Sequence, residues 1–143
     1  MARIKETVLY YNPGTEESMA HVAKLKSVLV RMGVRIRNIG PEQAGETVGF
    51  LAGLEGFEKR EEDSGELPEM TEEMLVLKQF SGKRLDELLL NLRRAGVPRI
   101  ALKAVLTEHN AKWPFYQLYE ELKAEHAQMN RPERRENGKE TAE

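Results

Sequence analysis

The sequence predicts an α/β protein: a small four-stranded, mainly parallel sheet flanked by helices and built from two β-α-β-α halves. Three observations carry this. Apolar runs rich in strand formers alternate with stretches whose apolar residues recur every three or four positions. "RMGVRI" (31–36) returns as "RAGVPRI" (94–100), and the same offset of 63 lays Val22, Leu25 and Leu29 onto Leu85, Leu88 and Leu92. A strongly acidic stretch, 55–73, separates the two copies.

In the first half, "TVLYYN" (7–12) reads as a strand ended by the turn signal "NPGT". Val22, Leu25, Leu29 and Met32 then mark one helical face, with Thr15 or Ser18 as cap and Gly33 as the left-handed stop. "VRIRNI" (34–39) alternates apolar and basic residues, which places it half exposed near a sheet edge. Residues 41–57 are weakly helical, each glycine among them reducing helix stability.

In the second half, "MLVLKQF" (74–80) is nearly continuous in apolar residues, as a strand covered on both faces requires. Ser81 caps a helix with a stripe of Leu85, Leu88, Leu89 and Leu92, stopped by Gly96 and Pro98. "RIALKAVL" (99–106) is the fourth strand. An amphipathic helix then runs from about Ala111 to Met129 with Phe115, Leu118, Tyr119 and Leu122 on its apolar face. The expected strand order is 2-1-3-4. An α+β sandwich with a mixed sheet is the alternative, since the 55–73 connection is long enough to permit antiparallel pairing. The whole fits one domain over 1–130, with half-units 1–57 and 72–130 and a tail at 131–143 too polar to fold.

The chain of 143 residues has no cysteine, so disulfides, zinc–thiolate centres and cysteine nucleophiles are excluded. It shows no signal-peptide h-region and no run near the ~18 apolar residues of a membrane span, so it reads as cytoplasmic with no membrane partner. Net charge is −2, but residues 55–73 hold nine acids and two bases, a net −7, and the tail from Arg131 is neutral. The remaining body carries +5, a balance that favours an anionic partner. Nucleic acid is disfavoured, because no basic patch is interleaved with stacking aromatics. His21, His109 and His126 lack metal-ligand spacing, no G-x-S-x-G occurs, and no cofactor or catalytic set is expected.

Where chemistry would sit is set by the fold class. In open parallel sheets ligands bind at the carboxyl ends of strands, where "KAVLTEHNAKW" (103–113) places Thr107, Asn110 and Trp113. Lys103, set among aliphatics, must snorkel, pair with an acid or meet an anionic ligand. The competing account is structural: Asn110 caps the last helix through the amides of residues 112 and 113, and Trp113 packs its first turn on the sheet. Asn12 in "YYNPGTEES" outlines a strand-to-helix anion cradle, although it has one glycine and no P-loop lysine. Asn12 and Lys78 are candidates to approach Lys103 from neighbouring strands.

Residues 74–129 resemble a bacterial and archaeal family named only as domain of unknown function 3783. The resemblance is carried by Lys103 to Thr107, Asn110 and Trp113 and by "LYEELKAEH" (118–126), and covers about two-fifths of the chain. It implies a small cytoplasmic α/β module and no reaction. The expected function is therefore a non-catalytic regulatory or interaction module binding an anionic small molecule or a protein partner. Self-association through an outer strand or the aromatic helix face is a further expectation, because four strands leave two edges. The alternative is a small enzyme acting on an anionic metabolite around Lys103, Thr107 and Asn110.

Overall fold

The computed structural model describes residues 6–59, 67 and 69–129. The tail expected to be unfolded, and the middle of the acidic connection, lie outside the described residues. The described chain forms one sheet of four strands: β1 (Thr7–Tyr11), β2 (Arg35–Ile39), β3 (Met74–Lys78) and β4 (Leu102–Val105). Their order is β2-β1-β3-β4, as the sequence predicts. Within each half the pairing is parallel, β1 with β2 and β3 with β4. Between the halves β1 and β3 are antiparallel, with Leu9 abreast of Val76. The sheet is thus mostly parallel with one antiparallel pair at its centre.

Burial follows the sequence pattern. All five residues of β1 are buried, and β3 is buried up to Lys78. β2, with Arg35, Arg37 and Asn38 exposed, is an edge. Helix α1 (Glu16–Arg31) and helix α3 (Gly82–Arg94) cover one face. There Val8, Tyr10, Leu75 and Leu77 meet Leu25, Val28, Leu29, Leu88 and Leu92. The single turn α2 (Val48–Leu51) and helix α4 (Phe115–Met129) cover the other, where Leu9, Tyr11, Met74 and Val76 meet Val48, Leu51, Phe115 and Leu118. Fully burying one such side chain contributes roughly 1.5–3 kcal/mol, so the two central strands, apolar on both faces, anchor both layers.

The repeated helix ends work as their sequences require. Thr15 and Ser81 each accept the amide three residues on, and Gly33 and Gly96 follow α1 and α3 with φ of 75° and 86°. A side chain at either glycine would be strained in that left-handed conformation.

Two expectations are corrected. Residues 41–57 form no continuous helix but a 3-10 turn, Pro41–Gln43, and the short α2. The last helix starts at Phe115 rather than near Ala111, because Pro114 sits just before it and a 3-10 turn, Asn110–Lys112, comes first. Residues 44–48 run beside 113–116: Val48 N donates to Trp113 O, Phe115 N to Glu46 O and Tyr116 N to Ala44 O. The two first-turn amides of α4 that a side chain would cap are satisfied by this neighbouring backbone instead.

Arg84 ties the halves together. Its Nε and Nη2 each donate to Glu6 at 2.8 Å, Nη2 also reaches the Met32 carbonyl at 2.7 Å, and Nη1 meets Glu87 at 3.1 Å. The hydrogen bonds from Arg84 hold the Glu6 carboxyl below its ordinary 4.5, against the upward push of burial. A group with a depressed folded pKa contributes stability above the unfolded value and loses it as pH falls through the folded one. Arg84→Lys, which cannot reproduce the fork, should lose about 1–3 kcal/mol in urea unfolding at neutral pH. The gap from wild type should shrink as pH falls below the ordinary carboxylate range; a pH-independent gap would remove Glu6 from the account.

Candidate functional site

Because β1 and β3 are antiparallel, their carboxyl ends lie at opposite ends of the sheet. The expected site residues divide accordingly. Asn12 follows β1 at the end where β3 and β4 begin, and Lys103 lies at that same end, paired across β4 with Leu75, itself abreast of Tyr10. Lys78 closes β3 at the opposite end, where β4 leads into Thr107, Asn110 and Trp113. Alternation puts Lys103 on the α1/α3 face with Tyr10 and Leu75, and Lys78 on the α2/α4 face with Met74 and Val76. Lys78 and Lys103 are therefore separated by both the length and the thickness of the sheet, and the three-strand convergence is corrected by the antiparallel centre.

At the end after β4, Thr107 and Asn110 close on each other. Asn110 Oδ1 accepts from Thr107 N at 2.9 Å, Thr107 Oγ1 accepts from Asn110 N at 3.0 Å, and Asn110 Nδ2 donates to Val105 O at 3.1 Å. Asn110 does not cap residues 112 and 113 as expected; it folds back to close the strand end. The side chain is buried and its oxygen and amide both have partners. Trp113 packs partly buried against the core, with His109 edge-on at a ring distance of 5.0 Å. Lys78 Nζ donates to Ala52 O at 2.9 Å, ending α2 with a cation on its carbonyl end.

At the other end, Asn12 Oδ1 accepts from Gly14 N at 2.8 Å and from Ser18 Oγ at 2.6 Å, an Asx turn locked onto the first turn of α1. Glu16 and Glu17 occupy that turn, a sign of charge that opposes an anion there. Lys103 Nζ donates to the Ile100 carbonyl and pairs with no acid among the described residues. Burial, with a smaller contribution from Arg99, lowers its pKa.

This end also holds a partly buried network that the sequence pattern does not reveal. His21 Nε2 lies 2.7 and 2.8 Å from the two oxygens of Glu73, and the Tyr10 hydroxyl donates to the same carboxylate. Burial first, then the Glu73 carboxylate, raises the Tyr10 pKa far above its ordinary value, so the phenol remains a donor. One signal was available: His21 falls on the buried stripe Ser18–His21–Leu25–Val28 of α1, where a polar ring needs a partner. Close by, Tyr11 Oη donates to Met70 O at 2.7 Å, and Tyr119 Oη accepts from Thr71 N at 2.8 Å and Glu72 N at 3.1 Å. Three tyrosines and His21 thus bind the last residues of the acidic connection to the fold. Among the described residues no group of three or more His, Cys, Asp or Glu side chains could hold a metal ion, and no helix is long and apolar enough to cross a membrane.

Two outcomes follow from these placements. Phe115→Ala should cost about 3–5 kcal/mol in chemical unfolding, and Trp113→Ala less, because Phe115 is solvent-free and Trp113 is not; the reverse order would mean that Trp113 carries the corner. Lys103→Met should match or exceed wild-type stability near neutral pH. A lysine with a lowered folded pKa destabilises while charged, and the penalty lifts as pH rises toward its ordinary 10.5. The gap measured across that range should close; a gap that widens with pH would contradict the burial account.

No curated protein and no solved structure matches the chain. The family comparison matches the second half alone, over residues 73–129, which run from the start of β3 through α4 and include the Thr107–Asn110 corner. Over that segment the chain matches the family described as Domain of unknown function (DUF3783).

Proposed function

We propose that the protein is a non-catalytic α/β binding module that recognises an anionic small molecule. The observation that supports this is the fate of the polar side chains at the sheet ends. Lys103, Lys78, Asn12, Thr107 and Asn110 each bond to backbone or to a neighbour within the fold. A general base or nucleophile must present a lone pair to substrate, and a substrate-orienting group must have bonds to give. Groups committed this way suit scaffolding better than turnover, which weighs against the enzyme reading around Lys103, Thr107 and Asn110.

Among the described residues, cations without a carboxylate partner lie elsewhere. Arg31 and Arg94 line a groove of about 620 Å³ between α1 and α3. That volume falls in the range of roughly 300–1,000 Å³ in which small ligands bind. The excess positive charge of the body outside the acidic connection acts in the same direction.

A thermal-shift screen of wild type and Lys103→Ala against nucleotides, sugar phosphates and carboxylates tests the reading. A ligand at ~100 times its Kd adds about 2.7 kcal/mol, enough to raise Tm by several degrees. The expected result is a hit shared by both proteins, with the ligand recovered unchanged. A hit lost in Lys103→Ala and accompanied by product would return the enzyme reading.

A further inference from the structure

We propose that the groove between α1 and α3 is a site for a linear dicarboxylate, held at its two ends by Arg31 and Arg94. This rests on the reading that the chain binds an anion, and it adds the place and the ligand class.

The groove is lined by Val28 and Arg31 of α1 with Met32 just after it, and by Asn91 and Arg94 of α3 with Ala95 just after it. These are three pairs at an offset of 63, the offset that relates the two halves of the sequence. Each helix returns along its own strand, and β1 is antiparallel to β3, so α1 and α3 are antiparallel too. Two contacts indicate how they lie. Arg84, near the start of α3, bonds the Met32 carbonyl at the end of α1, and the Lys24 amine, in mid-α1, approaches Gly96 just past the end of α3. Between those contacts lie Val28 and Asn91, both lining the groove. The offset of 63 that relates the two halves thus relates the two walls of the groove, with Arg31 on one and Arg94 on the other.

A pseudo-symmetric groove with one guanidinium on each side suits a ligand with two like ends. The guanidinium fork matches a carboxylate in plane, through two parallel hydrogen bonds. Each arginine lies in the last turn of its helix and is exposed, and neither is paired with a carboxylate among the described residues. Buried Val28, with half-buried Met32 and Ala95, lines the middle with apolar surface, which favours methylenes over a charged centre. Arg84 and Glu87 also line the groove, toward the Arg31 end. Arg84 is spent on Glu6, Glu87 and Met32. The Glu87 carboxylate adds a negative charge that a dense phosphate would meet at close range, whereas a singly charged carboxylate on Arg31 meets less repulsion.

The test is an NMR titration of the full chain with linear dicarboxylates of three to seven carbons, the monocarboxylates of equal length, and inorganic phosphate. At one chain length the dicarboxylate should bind at least about tenfold tighter than its monocarboxylate, a difference of about 1.4 kcal/mol. Arg31→Gln and Arg94→Gln should each reduce it to the monocarboxylate level without moving the unfolding midpoint, and Lys103→Ala should bind as wild type. Equal binding of mono- and dicarboxylates, tighter binding of phosphate, or indifference to both arginine substitutions would overturn the proposal. Dicarboxylate binding lost in Lys103→Ala but kept in both arginine variants would end the groove and leave the binding module standing. New product resonances in the same spectra would end the module reading, and the arginine dependence of binding would still decide the groove.

Discussion

The antiparallel pairing of β1 with β3 is the constraint on which the rest of the molecule depends. Each strand carries its own parallel partner and its own helix, so each half is a β-α-β unit whose buried inner strand has an open edge to satisfy. Joining the two by their inner edges satisfies both ladders and makes the central strands the floor of two apolar layers. It also reverses one half relative to the other. That reversal sends Asn12 toward Lys103 and away from Lys78, puts α1 against α3 in opposite directions, and brings the duplicated helix ends to either side of one groove. A fully parallel sheet would have gathered the strand ends into one crevice and left no such groove.

What was legible in the sequence is what local chemistry determines. Edge strand β2 announces itself by alternating arginines, buried β3 by an unbroken apolar run, and the caps Thr15 and Ser81 and stops Gly33 and Gly96 by residue type. The strand order follows once each half is seen as a unit. The start of α4 was misread because its amides are answered by residues 44 and 46, far away in the chain. Asn110 looked like a cap for the same reason: its residue type fits both a helix N-terminus and a closed strand end, and only the observed bonds to Thr107 and Val105 choose. The His21–Glu73–Tyr10 network joins partners 52 and 63 residues apart, a separation at which periodicity carries no information.

The tethering of residues 70–73 shows how a long acidic connection is made compatible with a small core. Its final carbonyl, amides and carboxylate are each given a bonding partner by Tyr11, Tyr119, Tyr10 and His21, drawn from both layers and both halves. Met70 lies buried in the α2/α4 layer just ahead of β3. Phenols suit the task, since each offers apolar area to the core and a hydroxyl to the chain above it.

The boundary of the family match has a consequence for how the segment can exist. Residues 73–129 contain β3, α3, β4 and α4, yet in this chain the inner side of β3 is zipped to β1 and the head of α4 leans on the backbone of residues 44 and 46. Severed from residues 6–59, the segment would show water a row of open amides and carbonyls beside a bare apolar sheet, the condition under which strands recruit one another. In this chain it is a hemisphere rather than a globe, and residues 6–59 supply the complementary half.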